Sequence, residues 1–391
     1  MVRFSFEVIR ECRNSRARRG RMHTPHGEVE TPAFMPVGTQ ATVKTLTPQE
    51  VREIGAGIIL ANTYHLYLRP GMDVIREAGG LHLFMGWDGP ILTDSGGFQI
   101  FSLQKLRDLR EEGAFFKSHI DGSSHVFTPE SVVDIQHTLG SDIMMPLDEC
   151  LPYPSEQEYA RAALERTHRW AARALEHHRN FPSFESQALF GIVQGGMFRE
   201  LREESARTLV AMDFSGYSIG GLSVGESKEI MHEVLEWTLP FLPAEKPRYL
   251  MGVGTPEDFF ECIRRGVDIF DCVLPTRITR NGTVMTSQGK LVLKNARYRM
   301  DFSPLDPGCS CFVCTNFSRA YLRHLFIADE ILGPRLATFH NLHFLENLMR
   351  SIRLSLEEDR FTEFEADFMK QYHGTGEMNP QISQITQRTG G

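Results

Sequence analysis

Short apolar runs alternate with amphipathic stretches from about residue 40 to residue 275. The runs fall at 57–60, 90–92, 142–146, 188–193, 217–219, 248–251 and 267–270, and a weaker one lies near 42–46. Amphipathic stretches at 48–54, 156–179, 199–211, 227–239 and 256–265 separate them. Several of the helical stretches open on a capping residue followed by proline and acids, as in Thr47-Pro48, Thr128-Pro129-Glu130 and Thr255-Pro256-Glu257. Strand–helix alternation of this kind predicts a parallel sheet, and roughly eight units predict a closed (β/α)8 barrel of the TIM type. Two segments depart from it and read as hairpins: 23–37, and 115–127 with its turn at Asp121-Gly122.

Nearly every apolar run stops at a polar or glycine-rich knot. The six knots are Thr93-Asp94-Ser95-Gly96-Gly97-Phe98-Gln99, Asp148-Glu149-Cys150, Gln194-Gly195-Gly196, Gly220-Gly221-Leu222-Ser223-Val224-Gly225-Glu226, Gly252-Val253-Gly254, and the segment from Asp271 to Arg277. In a barrel such knots converge on the C-terminal rim, where barrel enzymes keep their active sites.

Composition adds little until the cysteines are considered. The chain has 391 residues, 41% hydrophobic and 24% charged, with a net charge of −8. These are values of a soluble globular protein. No stretch is long and apolar enough to span a membrane, and the arginine-rich N-terminus does not look like a signal peptide, so cytoplasm is the expected location. Of seven cysteines, Cys309, Cys311 and Cys314 stand almost together, and His340 follows. Three thiolates and an imidazole make a complete tetrahedral set for structural Zn²⁺. Between Arg277 and Arg323 stand eight basic residues (Arg277, Arg280, Lys290, Lys294, Arg297, Arg299, Arg319, Arg323) against the two acids Asp301 and Asp306. A metal-stapled basic segment on an acidic chain predicts a local nucleic-acid contact surface.

The rim offers aspartates, a glutamine, paired glycines, Phe98, Met251 and nearby arginines, but no Ser/His pair and no phosphate-binding Gly-Lys motif. Carboxylate, glutamine and bare amides suit the edge of a planar heterocycle, with Phe98 and Met251 stacking on its faces. Two further carboxylates fit the glycosidase scheme, one as nucleophile and one as proton shuttle. Arg277 and Arg280 would grip phosphates. Taken singly, Asp94 or Asp148 would be a helix cap, Phe98 and Met251 core residues, and the arginines solvated charges. None of these accounts for six knots backed by a Cys3His set.

These knots and the metal cluster together resemble those of tRNA-guanine transglycosylases of the bacterial type, over roughly 6–360. The resemblance implies that Asp271 is the nucleophile on C1′ and Asp94 the general acid/base. It implies that Asp148, Gln194 and the backbone of Gly220, Gly221 and Leu222 read the purine edge between Phe98 and Met251. Arg277 and Arg280 would bind RNA. The spacing in that family favours His340 over His324 and His343 as the fourth ligand of one structural zinc per subunit. The implied substrates are tRNAs with G-U-N anticodons (those for Asp, Asn, His and Tyr), whose anticodon loop presents the wobble guanine. The incoming base would be 7-aminomethyl-7-deazaguanine, because Val224 stands where queuine-using relatives have glycine; Cys150 likewise resembles the bacterial branch. A homodimer is implied too. One departure is Thr279, where relatives have a smaller residue; it bears on the loop between Arg277 and Arg280. The competing readings are a queuine-inserting enzyme, a catalytically silent tRNA-binding paralogue, and a hydrolytic N-glycosidase.

A single domain is expected over 1–391, with the N-terminal hairpin and barrel at 12–275 and a zinc-binding basic subdomain inserted after the eighth strand at 276–345. C-terminal helices are expected at 346–373 and a polar, mobile tail at 374–391.

Overall fold

The computed structural model describes residues 3–102 and 107–374. Eight parallel strands close into a barrel. They are β1 (Ala33–Met35 and Val37–Gly38), β2 (Ile59–Ala61), β3 (Ile91–Thr93), β4 (Ile143–Met144), β5 (Ala188–Val193), β6 (Gly216–Ile219), β7 (Arg248–Leu250) and β8 (Ile269–Asp271). The first strand is split at Pro36, which has no N–H to give the ladder. Its first half pairs with β8 (Ile269 opposite Ala33) and its second with β2 (Val37 opposite Leu60), so the sheet has no free edge.

Side-chain alternation along each strand sorts the core into two layers. Ala33, Met35, Val37, Leu60, Leu92, Ile143, Met145, Phe190, Ile192, Tyr249 and Ile269 fill the barrel interior. Phe34, Ile59, Ile91, Met144, Leu189, Leu250 and Phe270 face outward, into the helix layer. The N-terminal ends of the strands are covered by an antiparallel sheet of Ser5–Glu11, Arg18–Thr24 and Gly27–Thr31, which sends Met22 and Val29 into the interior layer. Arg18 ties that sheet down through two bonds, 2.9 and 2.6 Å, to buried Asp268 at the foot of β8.

Seven of the expected strands stand where the apolar runs are. The eighth does not: residues 42–46 form bends and turns, and the missing strand is β1, within the segment expected to be the returning arm of the 23–37 hairpin. The hairpin itself turns at Pro25-His26, and its second arm ends at Thr31, before β1. The expected helices appear as Pro48–Glu53, Gln157–His178, Arg199–Met212, Lys228–Thr238 and Pro256–Arg264. Thr47, Thr128 and Thr255 cap theirs by accepting the amides of Glu50, Ser131 and Asp258. The second hairpin is present as Ala114–Lys117 with Ser124–Phe127.

After β8 the chain leaves the barrel for the short helix Leu274–Thr279, the hairpin Thr283–Thr286/Gly289–Val292 and the cysteine segment. It returns on helix Leu332–Glu357, which packs against β1 as the eighth barrel helix. That helix runs unbroken through the division expected at 345. Helix Phe361–Gly374 follows; the rest of the expected tail, residues 375–391, lies outside the described residues. Among the described residues, no helix is long and apolar enough to cross a membrane.

Candidate active site

Three aspartates stand at the C-terminal ends of β3, β4 and β8. Asp271 is the last residue of β8. Its Oδ1 accepts from the Tyr249 hydroxyl at 2.6 Å and from the Gly252 amide at 2.9 Å, while Oδ2 has no protein donor among the described residues. The carboxylate is thus held by one oxygen and open at the other. Burial raises its pKa, opposed by those two donors. Burial and the Asp271 charge in turn keep the Tyr249 phenol protonated far above its usual range.

Asp94 follows β3 and is nearly enclosed. It accepts from the Asn62 amide, from Thr63 N at 2.9 Å and from Gln99 Nε2 at 2.9 Å. Burial nonetheless pushes it up to about 6, and the charge of Asp271 pushes the same way. A carboxyl that titrates near neutrality can both give and take a proton there. Tyr249, which donates to Asp271, is raised by the charge of Asp94 as well, so both aspartates act on one phenol at the rim.

The third carboxylate, Asp148, accepts from Gln194 Nε2 at 2.7 Å and Ser95 Oγ at 3.3 Å. Burial pushes it, too, up to about 6, and neighbouring Glu149 adds to the effect. Gln194 directly follows β5 and lies against the loop after β6. A methyl group added at Gly220 would stand 2.6 Å from Gln194 Nε2, and one at Gly221 2.5 Å from Oε1, so a side chain at either position would displace the Gln194 amide. Gly221 also has φ +66°, a region favourable only to glycine. Leu222 is buried beside them. Further along this loop the Glu226 carboxylate accepts the amides of Ser223 and Val224. Phe98, on the first turn of helix Gly97–Ser102, is 56% exposed, and Met251, just past β7, is half-buried. An exposed aromatic at the rim is more available to a ligand than to the core.

Cys309, Cys311, Cys314 and His340 come together with all four donor atoms within 4.8 Å of one another, a group that could hold a metal ion. His340 Nδ1 lies 3.9, 3.5 and 3.4 Å from the three sulfurs in that order. Its Nε2 donates to the Met285 carbonyl at 2.7 Å, which leaves Nδ1 as the unprotonated, ligating nitrogen. His343 approaches Cys309 alone, at 3.7 Å. The long helix carrying His340 also holds the rim: Asn341 donates to the Pro275 carbonyl at 2.9 Å, and Thr338 meets the Thr279 hydroxyl at 2.9 Å. Thr279 is therefore a buried tie, and it leaves its neighbours Arg277 and Arg280 exposed. Among the described residues neither arginine forms an ion pair.

Asn62, Thr63, Tyr249 and Arg202 belong to this site and were not singled out in the sequence. The first two follow β2 as the other knots follow their strands, so the same signal could have found them. Tyr249 lies inside an apolar run and Arg202 inside an amphipathic helix, where nothing marks either residue.

The model of the queuine tRNA-ribosyltransferase family matches residues 12–374. The chain is 63% identical over 367 residues to the queuine tRNA-ribosyltransferase of Desulforamulus reducens, covering 94% of this chain and 98% of that one. It is 61% identical over 370 residues to that of Pelotomaculum thermopropionicum, covering 95% and 99%. With that of Desulforudis audaxviator it shares 62% over 364 residues, covering 93% and 97%.

Proposed function

This chain belongs to the queuine tRNA-ribosyltransferase family of transferases, and on that premise we propose that it exchanges the wobble guanine of tRNAs with G-U-N anticodons for 7-aminomethyl-7-deazaguanine. The reaction is a double displacement. Asp271 Oδ2 attacks C1′ as the C1′–N9 bond breaks, and the electron pair leaves with guanine. Asp94, in its acid form, protonates the departing base. The ribose is then an ester of Asp271. Asp94, now a carboxylate, takes the N9 proton of the incoming base, whose N9 attacks C1′ and releases Asp271. Two inversions restore the original anomer, and no phosphodiester is cut.

The observation that carries this reading is the pairing of Asp271, bonded at one oxygen and open at the other, with a second buried aspartate raised to about 6. Asp148, Gln194 and the backbone at Gly220, Gly221 and Leu222 read the purine edge, with Phe98 and Met251 on its faces. Val224 limits the pocket to the small deazaguanine. Arg277 and Arg280 hold the phosphates beside the extruded base. Trapping a covalent adduct between RNA and protein on a denaturing gel tests the scheme. The adduct should form with the parent and not with Asp271→Asn; an adduct of equal yield in the variant removes Asp271 as nucleophile.

The metal is assigned as zinc from its donor set, one ion per subunit. Three thiolates and an imidazole leave no open position, so zinc supplies folding energy and no chemistry. For a homodimer, the metal-binding segment offers a mixed groove in which Phe302, Pro304, Phe317 and Tyr321 alternate with Thr315, Asn316 and Ser318, beside exposed Met300. A tRNA substrate implies a cytoplasmic enzyme.

A further inference from the structure

We propose that Arg202 is a positioning residue that aims the base-reading amides of the 220–222 loop; this rests on the base-exchange reading above. Arg202 stands in the first turn of helix Arg199–Met212, behind β5, and is wholly buried. Its guanidinium donates to three backbone carbonyls: Gly196 at 2.8 Å, Val193 at 3.1 Å and Gly220 at 2.8 Å. The Gly221 carbonyl lies just beyond, at 3.5 Å. Among the described residues no carboxylate lies within ion-pair distance of it. Burying a charge is costly; the Glu226 charge offsets that cost only in part, and the donors are spent on the backbone of two rim loops. Burial lowers Arg202 only to about 10, so it stays charged at neutral pH.

The effect on the pocket follows from the planarity of the peptide. In a trans peptide the C=O of one residue and the N–H of the next point in opposite directions. With the Gly220 carbonyl drawn to Arg202, the Gly221 N–H is turned to the far side. The Gly221 carbonyl leans the same way, which turns the Leu222 N–H likewise. Among the described residues neither amide has a protein acceptor. Gln194, whose carbonyl Oε1 is buried and without a partner, is pressed against the same two glycines. The guanidinium thus staples the end of β5 to the end of β6 and presents donors where a purine carbonyl oxygen would sit.

The test compares guanine with 2-aminopurine, which lacks the 6-oxygen, as competing bases in tRNA exchange. Arg202→Lys and Arg202→Gln should lose at least tenfold of the parent's preference for guanine and raise its KM, with kcat and the KM for tRNA within threefold of the parent. Leu209→Ala, a core truncation on the same helix, serves as a control for destabilisation and should leave the preference unchanged. An unchanged preference in the Arg202 variants overturns the proposal. So does an equal loss in Leu209→Ala, or failure of both Arg202 variants to fold, which would assign the residue to stability alone. If the parent itself exchanges no base, the proposed function fails, and the positioning role falls with it.

Discussion

Removing one hydroxyl from the wall of the site should change its pH dependence in a calculable way. Tyr249 is buried in the barrel interior, and its OH donates to Asp271 Oδ1 at 2.6 Å. Tyr249→Phe keeps the ring and its packing while deleting that bond. A hydrogen bond to a charged group contributes about 1.5–3 kcal/mol, which at about 1.4 kcal/mol per factor of ten corresponds to roughly ten- to hundredfold less of the ionised Asp271 on the acid side. The sign is fixed by the donor: it stabilises the carboxylate, so its loss favours the protonated, non-nucleophilic form. Asp271 is already raised by burial, so the variant starts from an elevated value. The assay is single-turnover exchange of labelled guanine, from acid to alkaline pH. The variant should lose tenfold or more on the acid side and come within about threefold of the parent at alkaline pH, where Asp271 is ionised in both. A loss that is the same at every pH, or no loss in acid, would refute the electrostatic role given to Tyr249.

Asp94→Asn should lower kcat by about 10²–10⁴, the usual share of general acid–base catalysis. It should also stabilise the fold increasingly from pH 4 to pH 7: a carboxyl raised to about 6 in the folded state favours folding only below its unfolded pKa, and that contribution fades as pH rises. The gain, read as Tm against pH, has a ceiling of about 3 kcal/mol for a two-unit shift, and a constant Tm difference would contradict it. Replacing Arg277 and Arg280 together by glutamine should weaken tRNA binding and flatten the salt dependence by about 1.4 in log–log slope, two contacts at about 0.7 each; an unchanged slope excludes phosphate contacts. Cys309→Ser should lower zinc content, Tm and tRNA affinity together, and a zinc-free protein with normal affinity would overturn the bracing role. Val224→Gly should widen the pocket enough to admit queuine, and unchanged selectivity between the two bases would count against the steric reading.

Much of the barrel was legible because its strands are buried on both faces, so each appears as a short apolar run ended by a polar knot. The exception is instructive. β1 is interrupted by Pro36 and follows directly on a hairpin, so its residues read as a continuation of that hairpin. Asp94, Asp148, Gln194 and Asp271 were visible because each ends a strand run, where polarity is unexpected. Tyr249 and Arg202 were not, because their roles depend on what faces them. One is a tyrosine in a core strand whose hydroxyl meets Asp271. The other is an arginine on an amphipathic helix that turns inward to four carbonyls. The three cysteines were legible from spacing and His340 from the resemblance; folding adds that His340 Nδ1 meets all three sulfurs whereas His343 reaches Cys309 alone.

Base exchange itself is tested most directly by mass analysis of tRNA incubated with the enzyme and 7-aminomethyl-7-deazaguanine. Base exchange yields an unbroken strand whose wobble nucleotide carries the heavier base, with free guanine released in equal amount. An abasic product would instead make the protein a hydrolase, and unchanged tRNA would rule out base exchange.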